Sequence, residues 1–163
     1  MFRPMMMTAA ALTGFMSVPA LAQDADFRAS AVIQNGLTVQ KDADLNFANI
    51  VPDTQTSGLV AIRPDGRRLC ADALTCTGES SPASFTVIGR QGAMYAVTVP
   101  GGADLTSGAD TMRIDRFMTD LDRNSGWLTD GTDTFNLGAR IRVQPNQAPG
   151  TYTGTFPVAV EYE

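Results

Sequence analysis

The sequence contains no histidine, only two cysteines, one lysine and one tryptophan among 163 residues. Without histidine there is no Ser–His or Cys–His nucleophile pair, and the commonest side-chain ligand of transition metals is missing. No glycine-rich loop lies between a predicted strand and a helix, so no phosphate-binding loop is indicated. Acidic residues are scattered over predicted loops and form no recognisable acid–base pair. We therefore predict that the protein is not an enzyme and holds neither a catalytic metal nor a cofactor.

Basic residues are also scarce, because 12 Lys and Arg stand against 17 Asp and Glu and give a net charge of −5. Nucleic-acid binding depends on neutralising phosphates with positive charge, so this balance argues against nucleic acid as a partner. It equally argues against docking on anionic lipid through a polybasic patch.

The first 22 residues have the pattern of a secretory signal peptide. Arg3 precedes a mostly apolar, uncharged stretch over residues 5–18, which is shorter than the roughly 20 residues needed to span a bilayer. Small residues at Ala20 and Ala22 predict cleavage between Ala22 and Gln23. We expect an exported protein in the periplasm, at the cell surface or outside the cell. Its mature chain, residues 23–163, is expected to have no membrane span.

Export changes the interpretation of the two cysteines, Cys70 and Cys76, which are separated by five residues. In an oxidising compartment a close, even pair favours a disulfide. The spacing is not C-x-x-C, and no histidine or second cysteine pair completes a metal site. We predict a structural disulfide.

Period-two alternation of apolar and polar residues dominates the mature sequence. The clearest segment is 135–144, in which apolar side chains occupy the odd positions, as expected for a strand with one buried face. Segments 58–62, 84–87, 95–99 and 111–115 predict further strands, separated by turns rich in Gly, Pro, Asn and Asp. The sequence predicts one all-β domain, an antiparallel β-sandwich over residues 23–163.

Three local features carry weaker predictions. A single helical turn is predicted over residues 117–123, and the lone Trp127 is expected in the core rather than on a contact surface. Asp120, Asp122 and Asn124 imitate the start of a calcium loop. The glycine that should follow is one position late, and Gly131 occupies the place of the expected bidentate acid. A polar turn is the favoured interpretation, with a weak calcium site as the alternative.

The C-terminal segment predicts one long strand from Tyr152 to Tyr162. Gly150 is fourteenth from the end and Tyr162 is penultimate, which resembles the C-terminal pattern of pilins assembled by a periplasmic chaperone and an usher. In such pilins the last strand borders a groove left by a missing strand, which a chaperone strand fills before the N-terminal arm of the next subunit. The resemblance implies an acceptor edge at Gly150, Phe156, Val158, Val160 and Tyr162.

The mature N-terminus has the alternation that such an arm needs. Its apolar positions are Phe27, Ala29, Ala31 and Ile33, and the intervening positions 26, 28 and 30 are polar. These residues form the candidate donor strand, whose partner would be another copy or a chaperone, joined by strand addition. Alternatively, this segment is the first strand of a self-contained sandwich, turned at Asn35-Gly36 into residues 37–40.

The mature chain as a whole is similar to a bacterial family known only as domain of unknown function 4402. The resemblance rests on residues 37–52, on 83–87 with 92–95, and on 147–162. Ala48 stands where the family would place Gly, and the cysteine pair is not a family feature. The family implies an immunoglobulin-like, pilin-like sandwich without catalytic residues. We therefore expect an exported, fimbria-like structural subunit, with a secreted monomeric interaction module of unknown ligand as the alternative.

Overall fold

The computed structural model describes residues 36–163, which form twelve strands and no helix. The strands are β1 (Thr38–Ala43), β2 (Asn49–Val51), β3 (Gly58–Ile62), β4 (Arg68–Cys70), β5 (Thr75–Thr77), β6 (Ala83–Ile88), β7 (Met94–Thr98), β8 (Ala103–Ser107), β9 (Asp110–Thr119), β10 (Ser125–Trp127), β11 (Thr132–Val143) and β12 (Ala159–Tyr162). The predicted all-β class is confirmed. The predicted signal peptide, its cleavage site and the candidate donor strand lie outside the described residues.

Three antiparallel sheets form a curled, sandwich-like arrangement. The largest contains seven strands in the order β1-β6-β11-β3-β4, with β9 paired to β11 and β8 paired to β9. A three-stranded sheet has the order β10-β7-β12, and β2 pairs with β5. Strand β11 connects the parts of the large sheet, because residues 132–137 pair with β6 whereas residues 139–143 pair with β3.

The alternation read from the sequence determines which side chains enter the core. Along β11, the odd positions 135–143 are all buried, as the period of a one-sided strand requires. One core cluster joins β6, β7 and the first half of β11, and there Phe85 stacks on Phe135 with ring centroids 5.1 Å apart. A second cluster joins β3, β8, β9 and the second half of β11. Leu45 and Phe117 pack against both clusters.

Cys70 and Cys76 form the predicted disulfide. The bond joins the end of β4 to β5 and closes a short loop that carries the buried Leu74 into the second core cluster. Its position next to a core side chain is consistent with a structural role.

The structure corrects three expectations. Residues 117–119 continue β9 rather than beginning a helix, because Phe117 and Thr119 pair with Ala139 and Leu137 on β11. The predicted long C-terminal strand is regular only at β12, although its alternation of half-buried and exposed residues extends back to position 156. Trp127 is not a core residue, since 57% of its surface is exposed.

Candidate functional site

An apolar groove of about 1350 Å³ runs beside the C-terminal segment. We call it the C-terminal groove. Its floor is formed by β6, β8, β9 and β11, its first wall by residues 44–54 together with Val39 and Lys41 of β1, and its second wall by residues 146–156 and Val158. The floor side chains include Phe85, Leu105, Met112, Ile114, Leu137 and Ile141.

The second wall is attached to the large sheet at Thr153 and at Gln147, whose side-chain amide donates to the Thr111 carbonyl oxygen of β9 at 3.1 Å. Thr153 and Thr106 of β8 exchange two backbone hydrogen bonds of 2.8 and 3.0 Å. The approach depends on small residues, because a Cβ on Gly154 would lie 2.9 Å from the Asp104 carbonyl oxygen. A Cβ on Gly150 would likewise overlap the Ser107 side chain. Gly150 thus has a physical role here, which is close packing against β8.

Beyond this attachment the C-terminal segment crosses from one sheet to the other. Phe156 packs against Phe117 of β9 with ring centroids 5.3 Å apart, and Val158 and Val160 pack against the first core cluster. Within residues 36–163, no hydrogen bond joins residues 154–158 to another part of the chain. The described residues therefore leave the backbone donors and acceptors of this stretch unpaired among themselves.

Strand β12 then forms an edge of the three-stranded sheet. It pairs with β7 from Ala159 opposite Thr98 to Tyr162 opposite Tyr95. Among the described residues no strand pairs with its other side. The described part of the chain thus leaves one backbone edge of β12 open, next to the end of the groove.

Tyr162 fixes the end of this edge. Its hydroxyl accepts a hydrogen bond of 2.7 Å from the Arg90 backbone N–H, and the Arg90 guanidinium lies 5.7 Å from the ring centroid. The neighbouring Tyr95 is fully buried and donates a hydrogen bond of 2.9 Å to Asp133. Burial, followed by this hydrogen bond, raises the pKa of Tyr95 well above its ordinary value. Both tyrosines therefore hold the β7–β12 pair in place.

The first wall contains the departure from the family pattern seen in the sequence. Ala48 has φ of 61°, a left-handed backbone conformation that glycine adopts without strain and alanine does not. The turn is supported by the Ala48 N–H, which donates to Asn46 Oδ1 at 2.9 Å. The left-handed backbone at position 48 thus explains why glycine is expected there.

The predicted acceptor residues all lie on one continuous segment, and those at 150, 156 and 158 line the groove directly. The sequence did not identify the opposite wall. Its half-buried residues Leu45, Phe47 and Ile50 contribute apolar side chains at irregular spacing. That spacing gives neither a helical nor a strand period.

The segment from Asp120 to Asn124, whose sequence resembles the start of a calcium loop, leads into a hairpin turn. Arg123 and Asn124 have φ of 51° and 62°, and the turn is closed by the bridge between Asp122 and Ser125. Two successive positive φ values suit a tight β-hairpin. The Asp120 carboxylate accepts hydrogen bonds from Asn136. Within residues 36–163, no three acidic, histidine or cysteine side chains come together as metal ligands.

Comparison with known proteins places the chain in a family. A sequence profile described as "Domain of unknown function (DUF4402)" matches residues 37–162, so the chain belongs to this family. No curated protein and no solved structure matches it. Among the described residues, no helix has the length and apolarity to cross a membrane.

Proposed function

We propose that this DUF4402 protein is an exported structural subunit of a surface fibre or coat, whose C-terminal groove accepts a β-strand from another copy. The proposal includes the expectation from the sequence that the sandwich is immunoglobulin-like and pilin-like. The observation that carries it is the open edge of β12, continued by residues 154–158, beside an apolar groove.

Two strands near the groove, β1 and β12, each have one edge without a partner among the described residues. Within the described residues β1 pairs only with β6, and β12 pairs only with β7 on the other side. A strand added to either edge would satisfy the backbone groups of that edge, as strand addition does. Half-buried side chains on the groove walls, including Val39, Phe156 and Val158, would then become fully buried.

The size of the groove favours an extended segment over a compact ligand. Small-molecule pockets usually enclose about 300–1000 Å³, and this groove is larger. The eleven residues 23–33 would span about 36 Å as a strand. Their apolar side chains at positions 27, 29, 31 and 33 would all point to one face, matching the apolar floor.

A secreted monomer is the second candidate. Asn35-Gly36 suits a two-residue hairpin, and β1 starts at Thr38 in the first wall of the groove. The protein's own arm can therefore reach the same groove. The half-exposed Trp127 on β10 would then be the first place to look for a ligand contact.

A denaturing gel separates the two candidates. Strand-exchanged copies are kinetically stable, so purified protein loaded without boiling should give a ladder that boiling collapses to one band. Deletion of residues 23–33 should abolish the ladder and leave a folded monomer. A single monomer band in unboiled full-length protein, at any concentration, would rule out the fibre proposal.

Matched substitutions in the arm test the strand geometry. Phe27→Arg places a charge on the apolar face and should abolish the ladder. Ser30→Arg adds the same charge at a polar position and should leave the ladder intact. Equal loss with both variants would mean that charge, and not insertion of the apolar face, controls assembly.

A further inference from the structure

Four arginines lie together on the outer face of the large sheet, where their side chains point away from the core. Arg113 and Arg116 belong to β9, and Arg140 and Arg142 to β11. The register places Arg116 opposite Arg140 and Arg113 opposite Arg142. We call these four residues the arginine patch. They make up a large share of the basic residues of an otherwise acidic protein.

Like charges directly opposite each other on neighbouring strands destabilise a sheet. The patch contains two such pairs, and only part of the repulsion is compensated. Arg140 Nε and its terminal nitrogen donate to both Asp115 oxygens at 2.7 and 3.1 Å, and these hydrogen bonds lower the pKa of Asp115. Arg113 pairs with Asp104 at 3.1 Å.

In each pair the other arginine, Arg116 or Arg142, has no such partner, and we call these two residues uncommitted. The side chains of Arg116 and Arg142 are exposed and form no hydrogen bond or ion pair with any residue of 36–163. Their charges interact with the Asp115 carboxylate without direct contact, and a local cost that is only partly compensated is typical of a functional site. The two uncommitted guanidinium groups have the planar fork that binds carboxylates in a bidentate manner.

The strands beside the patch are apolar on the same face. Leu59 and Ala61 of β3 lie opposite Arg142 and Arg140. Leu69 of β4 lies opposite Ala61 and has 51% of its surface exposed. The face therefore combines a basic strip with an apolar strip, which suits a ligand that carries anionic groups on an otherwise uncharged, partly apolar frame.

We propose that the arginine patch binds an acidic polysaccharide through its carboxylate groups. Successive arginine positions on β11 are about 7 Å apart along the strand, so a linear chain with spaced charges can meet both arginine pairs. Asp115 lies among the arginines, and Asp104 on β8 flanks Arg113 at the margin of the patch. DNA, with one charge per about 1.7 Å, would set phosphates against these carboxylates.

Binding of the purified full chain to polygalacturonate, a linear polyuronate, tests this proposal. The wild-type protein should bind it at low salt and not bind neutral dextran. R116Q/R142Q should bind at least tenfold more weakly, because it removes both uncommitted forks. R116K/R142K keeps the charge but loses the planar fork and should give an intermediate affinity.

The control R67Q/R123Q changes the net charge equally at exposed positions outside the patch and outside the groove, and it should retain wild-type affinity. Thermal unfolding and circular dichroism of each variant confirm that it is folded, as expected because the side chains of Arg116 and Arg142 form no hydrogen bond or ion pair within residues 36–163. No binding of polygalacturonate, or equal binding by R116Q/R142Q, overturns the proposal. Tighter binding to a DNA duplex or to phosphatidylglycerol vesicles would also overturn it.

Discussion

The second wall of the groove depends on the absence of a side chain at Gly154, and Gly154→Ala tests this dependence. The added Cβ would lie 2.9 Å from the Asp104 carbonyl oxygen, 3.0 Å from the Phe156 ring and 3.1 Å from Leu105. The carbonyl cannot move freely because Asp104 is paired with Arg113 inside the β8–β9 ladder. The C-terminal segment must therefore shift away from β8.

The cost follows from the contacts that this shift weakens. Overpacking of this kind typically costs about 1–3 kcal/mol. The two Thr106–Thr153 backbone hydrogen bonds, at about 1 kcal/mol each, give a similar figure of about 2 kcal/mol. We expect this loss in the free energy of unfolding, measured by urea titration, together with faster hydrogen exchange at both threonine amides.

Gly101→Ala is the matched control. A Cβ at Gly101 meets no atom within 4 Å, and its φ is not in the left-handed region. This variant should be neutral or slightly stabilising, since alanine restricts the unfolded chain. If Gly154→Ala were as stable as Gly101→Ala, with unchanged exchange at Thr106 and Thr153, the close packing of the C-terminal wall on β8 would be refuted.

Three further predictions concern the frame of the groove. Ala48→Gly should raise the free energy of unfolding by about 1 kcal/mol by relieving the left-handed backbone, and a decrease in urea titration would contradict this. Replacing both Cys70 and Cys76 with Ser should cost about 2 kcal/mol, the loop-entropy value for so short a closure; an unchanged melting temperature would show that the disulfide contributes nothing. Because the pKa of Tyr95 is raised in the folded protein, unfolding above its ordinary pKa of 10.0 releases a proton. The contribution of Tyr95 to the free energy of unfolding should therefore be constant below pH 10 and then fall by about 1.4 kcal/mol per pH unit. Tyr95→Phe should remove this part of the alkaline slope and cost about 1 kcal/mol at neutral pH; a wild-type slope in the variant would contradict the assignment.

The sequence predicted strands best where one face is buried and the other is wet. The alternation over residues 135–144 located β11 correctly, since the period of two directly determines which side chains are buried. It failed over residues 117–123, because short mixed segments carry little periodicity and pairing with β11 decides the structure there. Trp127 was placed wrongly because composition alone does not tell whether a large aromatic side chain faces the core.

The sequence predicted only part of the site, again because alternation shows which side chains are buried but not how the backbone pairs. Alternation located the side chains of Phe156 and Val158, but it also predicted a continuous strand. The structure instead shows a segment that crosses between sheets and pairs regularly only from Ala159. The arginine patch could not be predicted, because the opposition of Arg116 and Arg140 depends on register. A β-bulge shifts that register between Arg140 and Ile141.

The central claim is that the arm of one copy fills the C-terminal groove of another, and an isotope-mixing cross-link tests it most directly. A photo-crosslinking benzoylphenylalanine replaces Phe27, and light and heavy-isotope preparations are unfolded together, refolded and irradiated. Mass spectrometry then identifies peptides joined to residues 150–162. Mixed light–heavy pairs are predicted, in about the proportion expected for random exchange between copies. Links exclusively within light or within heavy chains would contradict the claim, because each arm would then fill its own groove.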